Sequence, residues 1–180
     1  AMIFSDQAEK RSDVNPAWPA EPIKRYTPGT DSGTYDFFIE AVMQPKYDKD
    51  ATKAKEAFQK AANLQQSEDD NVLVQGVEGD KYAIGFFGFA YYQENEGKLK
   101  SVSVEGVEPN FDSAESGEYK LSRPLYIYSD AQVMKDKPQV AAFISFYLTR
   151  VNEVIEEVGY FPASDEALQA SVQALSEAVK

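Results

Sequence analysis

The residues Pro28-Gly29-Thr30-Asp31-Ser32-Gly33-Thr34 carry the most definite chemistry in the chain. Ser-Gly-Thr ahead of apolar residues at helical spacing reads as the start of a helix. The first N–H groups of a helix lack internal acceptors, and the aligned peptide dipoles leave partial positive charge there. Gly33 removes side-chain bulk, so an anion can approach the backbone, while Ser32 and Thr34 add hydroxyl donors. A small oxyanion fits such a place without any basic side chain, and phosphate is the oxyanion expected. The same residues also suit an ordinary N-cap, which is the commoner role of Ser and Asp before a helix.

The other reactive residue types offer less. The chain has no histidine and no cysteine. Thiolate and imidazole metal sites, cysteine nucleophiles and a Ser-His-Asp relay are therefore excluded. No base is placed near Ser32, so an enzyme acting on a phosphoester is disfavoured, and no cofactor or metal is expected. Glu68-Asp69-Asp70 could recruit Ca²⁺, but the spaced ligands of a calcium loop are missing and a helix start is the simpler reading. Tyr82, Phe86, Phe87, Phe89, Tyr91 and Tyr92 could form a stacking platform, although burial in a core suits them better. Eighteen basic against thirty acidic residues give a formal charge of -12. Nucleic acid and anionic membrane surfaces are poor partners for such a chain, and an anion would have to be held by short, directional hydrogen bonds.

The elements that must position the turn follow from periodicity. Ile23 to Thr27 reads as a short strand, and Thr34 to Met43 as a helix with Phe38, Ala41 and Val42 on one face, bounded by Pro45. Ala51 to Leu64 reads as a second helix, with Ala54, Ala57, Phe58, Ala61 and Leu64 inward. Ser67 to Asp70 caps a third helix that Gly79 ends. Tyr82 to Phe87 suits a strand covered on both faces, followed by a short helix over Gly88 to Tyr92. Lys100 to Val107 and Leu121 to Tyr128 alternate as further strands. Val140, Phe143, Ile144, Tyr147, Leu148, Val151, Val154, Ile155 and Val158 form one helical stripe, with Gly159 at its end. Ser164 caps a last helix with Leu168, Val172, Leu175 and Val179 inward. Strands interleaved with helices make an α/β fold. No apolar run reaches the roughly 20 residues that span a membrane, and the N-terminus lacks the pattern of a signal peptide. Ala1 ahead of Met2 reads as a cloning scar, with the natural start at Met2 or upstream.

Four blocks add a resemblance. PIKRYTPGTDSGTYDFFIEAV at Pro22 to Val42, SEDDNVLVQGVEGDKYAIGFFGFAYYQEN at Ser67 to Asn95, YKLSRPLYIYSD at Tyr119 to Asp130 and SDVNPAWPAEPI at Ser12 to Ile23 stand in the order of one known family. The chain resembles the extracytoplasmic phosphate-binding proteins of phosphate ABC transporters, in the subgroup with a GTDSGT phosphate turn. The resemblance implies a type II periplasmic-binding-protein fold, of which the chain holds essentially the second lobe plus the C-terminal helices that return toward the first. Residues 1–122 would be the second-lobe α/β domain with the anion turn, and 123–180 the crossing strand and C-terminal helices.

Carried over, the resemblance makes Ser32, Gly33 and Thr34 the phosphate-contacting residues, with Asp31 bracing the turn. The family's arginine has no counterpart: Pro28 stands at one of its usual places, and Ala61-Ala62-Asn63-Leu64 at the subgroup's. Arg25 lies nearby with its direction open, Arg11 stands where the family has Trp, and Arg123 is given no ligand role. The expected function is the phosphate-binding component of an ABC-type uptake system, present as a partial chain with weakened binding. The alternative is a truncated or split-gene product that acts as a structural or interaction domain without transport. Expected partners are inorganic phosphate, an ABC permease or a separately encoded first lobe, and a second copy joined in a homodimer through the C-terminal helices. The expected location is outside the cytoplasm.

Overall fold

The computed structural model describes all residues from Ala1 to Lys180. The chain forms two compact units, Ala1–Val104 and Glu105–Lys180.

In the first unit, a 3-10 turn (Met2–Phe4) and α1 (Arg11–Val14) precede β1 (Lys24–Pro28). Next come α2 (Gly33–Phe38), a π-helical turn (Ile39–Met43), a 3-10 turn (Gln44–Lys46) and α3 (Ala51–Gln59). β2 (Leu64–Ser67), α4 (Asp70–Glu78), β3 (Ala83–Gly85) and α5 (Phe89–Gln93) complete it. All three strands are parallel, in the order β2-β1-β3, so β1 is central. Arg25 is level with Leu64 on one side and Ile84 on the other, and Tyr26 with Gln65 and Gly85.

That register separates the two faces of the sheet, because successive side chains of a strand point to opposite sides. On the Arg25 face, Leu64 and Ile84 pack against a core of Phe4, Tyr35, Phe38, Ile39, Met43, Ala54 and Phe58. Phe86 stacks on Phe38 at 3.9 Å between ring centroids and meets Phe4 edge-on at 5.5 Å. On the Tyr26 face lies α4. A Cβ at Gly76 would stand 2.1 Å from the Tyr26 ring, so helix and strand approach closely there only because residue 76 is glycine. The helices that follow β1 and β2 therefore cover opposite faces of the sheet.

Arg25 is fully buried on the core face. Its Nε donates to the Ile3 carbonyl, its Nη1 to those of Ala62 and Ile23, and its Nη2 to that of Ala8. A buried guanidinium is tolerable only when its donors are satisfied, and here backbone carbonyls serve rather than a carboxylate. Burial still pushes its pKa below the ordinary value. The result is a clamp that fixes the first eight residues and the α3–β2 connection to the central strand.

Several elements differ from the periodicity reading. The buried face of the α2 region is Tyr35, Phe38, Ile39 and Met43, whereas Ala41 and Val42 are half-buried. The second helix stops at Gln59, and the left-handed backbone of Asn63 turns the chain so that Leu64 begins β2. Polar Gln65 and Gln66 conceal that strand in the sequence. Neither Lys100–Val107 nor Leu121–Tyr128 joins a sheet. Alternation suits a strand, but a ladder also needs a neighbour to pair with.

The second unit is helical: α6 (Phe111–Glu115), α7 (Ala131–Asp136), α8 (Pro138–Val154) and α9 (Asp165–Ala178). α8 packs against α7 and α9. Val140, Ile144, Leu148, Val151 and Ile155 are half-buried, whereas Phe143, Phe146, Tyr147, Val154 and Val158 are exposed. The continuous stripe thus divides into a covered edge and an open one. Val172 of α9 and Val179 at its C-cap, expected inward, are exposed too, while Leu168 and Leu175 are half-buried. Gly159 adopts the left-handed φ of 84° expected of a helix-ending glycine.

Candidate functional site

Ligands of open parallel sheets lie beyond the carboxyl ends of the strands, where adjacent strands send their helices to opposite faces. In this sheet that point falls between β1 and β2. The β1–α2 turn, Pro28 to Ser32, and the β2–α4 turn, Ser67 to Asp69, leave those two strand ends side by side. The Pro28–Ser67 pairing closes the ladder, and the Gly29 N–H then donates to the Ser67 carbonyl at 3.1 Å.

Ser32 caps α2: its backbone is extended and its Oγ accepts from the Thr34 N–H at 3.2 Å. The N-cap reading of the turn is therefore realised. Capping leaves the neighbouring Gly33 N–H without a protein acceptor. Ser32 and Thr34 are half-buried, whereas Asp31 and Gly33 are exposed. Tyr35 and Phe38, in the first turns of α2, anchor the helix in the core, and the Tyr35 hydroxyl accepts from Gln59 Nε2 at 3.2 Å.

The second turn brings acid. Gly29 is buried beneath the Glu68 side chain: a Cβ there would stand 1.8 Å from Glu68 Oε1. The Asp31 N–H donates to the same oxygen at 3.4 Å. Asp69 caps α4, accepting from the Asn71 N–H at 2.9 Å. The helix start expected at Glu68-Asp69-Asp70 is thus present, with Asp69 as its cap. Burial, followed by the charges of Asp69 and Glu68, holds the Asp70 carboxyl above the ordinary carboxylate range. A further anion brought to this edge would meet negative charge, so backbone amides and hydroxyls must supply the attraction.

Arg25, whose direction the sequence left open, is spent on backbone carbonyls inside the core. Arg11 lies over the Trp18 ring at 5.5 Å and donates to the Tyr82 carbonyl at 3.4 Å. Both serve the fold. The Glu68 contact with the first turn was not foreseen from the sequence. Asp31 and Glu68 are 37 positions apart, and only the β1–β2 register brings them together.

A family model described as a PBP superfamily domain matches residues 1–151. The chain belongs to the PBP superfamily. Among similar proteins, Protein SphX of Synechococcus elongatus is 40% identical, over 96% of this chain and 50% of its own length. The phosphate-binding protein PstS of Staphylococcus saprophyticus is 38% identical, over 94% of this chain and 51% of its own. The PBP chain thus spans about half the length of these curated relatives. The crystal structure of a possible phosphate binding protein from Planctomyces limnophilus superposes with a TM-score of 0.71 at 36% identity, covering 99% of this chain and 62% of that one. PstS from Borrelia burgdorferi, 18% identical, shares the fold with a TM-score of 0.63. The α/β, periplasmic-binding-protein-like fold expected from the sequence is the fold observed. The relatives named for an activity are named for binding, not for catalysis.

Proposed function

We propose that this chain is the phosphate-holding lobe of a solute-binding protein for ABC-type phosphate uptake outside the cytoplasm. One observation carries the reading: the Ser-Gly-Thr turn lies at the carboxyl end of the central parallel strand, where helices diverge to opposite faces. The names of the relatives supply the ligand class. Ser32, Gly33 and Thr34 contact phosphate through the first-turn N–H groups and two hydroxyls, and Asp31 braces the turn. No covalent step is involved. The lobe holds the anion and presents it to a permease. Residues 1–122 act as this lobe, and 123–180 as the crossing segment and helices that meet a first lobe, encoded in the same or a separate polypeptide.

Half of a two-lobed site offers about half of its hydrogen bonds. Each charge-assisted bond forgone costs on the order of 1.5–3 kcal/mol. Residues 1–180 alone therefore bind inorganic phosphate with millimolar affinity or weaker. Titrating ¹⁵N-labelled protein with phosphate tests this: the Gly33 and Thr34 amide signals should shift, with a midpoint in the millimolar range. Micromolar saturation would refute the half-site argument, and silent amides at residues 31 to 34 would refute the site.

A second reading follows from the open edge of α8, where Phe143 and Phe146 are exposed. It makes the C-terminal helices an interaction surface, covered by a second copy in a homodimer.

A further inference from the structure

The two turns at the sheet edge contain an anion of their own. Glu68 Oε1 lies over Gly29, in a place that no residue with a Cβ would leave open, and accepts from the Asp31 N–H. Asp31 is the residue immediately ahead of Ser32, so this carboxylate oxygen is bonded at the mouth of the Ser-Gly-Thr turn. Glu68 itself is exposed. No salt bridge holds it, and the neutral Asp31 amide is what its carboxylate is bonded to.

We infer that the Glu68 carboxylate is an internal competitor that sets the affinity of the turn: it holds the Asp31 N–H at the mouth of the Ser-Gly-Thr turn when the turn is free and must swing out when an oxyanion enters beside it. This rests on the reading of Ser32 to Thr34 as the phosphate site. Two effects act in the same direction. An oxyanion on the Ser32 to Thr34 groups takes the space in which Glu68 accepts from the Asp31 N–H, so that bond is given up, and the anion must also settle beside a carboxylate of like charge. The side chain has the freedom to leave, since rotation about its own bonds carries the carboxylate into solvent. Gly29 contributes by its missing side chain, which makes the inward position of Glu68 available.

The test uses the full chain, ¹⁵N-labelled, titrated with inorganic phosphate while the amide signals of Asp31 to Thr34 are followed. Wild type is compared with Glu68→Ala, which removes the carboxylate, and with Gly29→Ala, which evicts it while keeping the charge. The inference expects the midpoint to fall about tenfold in Glu68→Ala and severalfold in Gly29→Ala. It also expects the free-state Asp31 signal to move in both variants. An unchanged or higher midpoint in Glu68→Ala, with the wild-type amides still responding, would overturn the competitor and leave the site standing. A lower midpoint in Glu68→Ala alone would overturn occupation of the turn, leaving only repulsion at a distance. Amides silent to phosphate in all three proteins would remove the site, and the competitor with it.

Discussion

Arg25 shows how a residue type that suggests ligand chemistry can be committed to architecture. Its three guanidinium nitrogens hold four backbone carbonyls from separate parts of the first unit, with no acidic partner. Substituting Met keeps much of the volume but leaves those carbonyls buried and unpaired, at roughly 1–3 kcal/mol each where water cannot reach them. Arg25→Met should therefore lower unfolding stability by about 3 kcal/mol or more, read as a fall in the urea midpoint. Arg25→Lys should lie between the two, because an ammonium donates at one point and cannot span the fork. Stability equal to wild type in Arg25→Met would show the clamp to be dispensable. Ser32 is the opposite case: its capping bond is local and visible in the sequence, and its side chain is half-buried at the turn.

Among the elements, the close crossing of α4 over β1 decides how the sheet edge is shaped. Gly76→Ala would drive a methyl group into the Tyr26 ring, and overpacking of this kind costs about 1–3 kcal/mol. Thermal unfolding of Gly76→Ala against Gly88→Ala checks it, since a Cβ at Gly88 meets nothing nearer than 3.6 Å. The second variant should stay within about 0.5 kcal/mol of wild type.

How legible such elements are in the sequence depends on where their stabilisation comes from. β1, α2 and α4 announce themselves because caps and local apolar spacing make them: Ser32, Asp69 and Gly79 mark ends that the structure keeps. β2 is hidden because Leu64-Gln65-Gln66-Ser67 draws its order from pairing with β1, not from its own composition. Leu125 to Tyr128 has the composition of a strand and no partner, so its side chains remain exposed. The Ser-Gly-Thr turn was readable as a helix cap, and the structure keeps that cap. The carboxylate that shares its edge was not, since that contact exists only after two strands align.

For the whole molecule, the apolar surface of the second unit is the main unresolved energetic demand. Phe143 is 65% and Phe146 63% exposed on one helix, and Tyr128 is 88% exposed. Monomeric proteins rarely show contiguous apolar patches beyond a few hundred Å². If a second copy covers the open edge of α8, sedimentation at micromolar concentration should give a dimer of the 20.1 kDa chain. The double variant Phe143→Asp with Phe146→Asp should sediment as a monomer. A wild-type monomer across that range would refute self-association.

The Arg25 clamp also has a mechanical meaning. The first eight residues are joined to the start of β1 by hydrogen bonds from a single guanidinium, and Phe4 sits in the same core as Phe38. The strand that receives them ends, three residues later, at Pro28 and the turn. A displacement applied through Ala1 would act on β1 through Arg25 and on α2 through Phe4, the two elements that flank the Pro28–Ser32 turn. Whatever polypeptide is tethered at that end is coupled by a short lever to the place where an anion would be gripped or released.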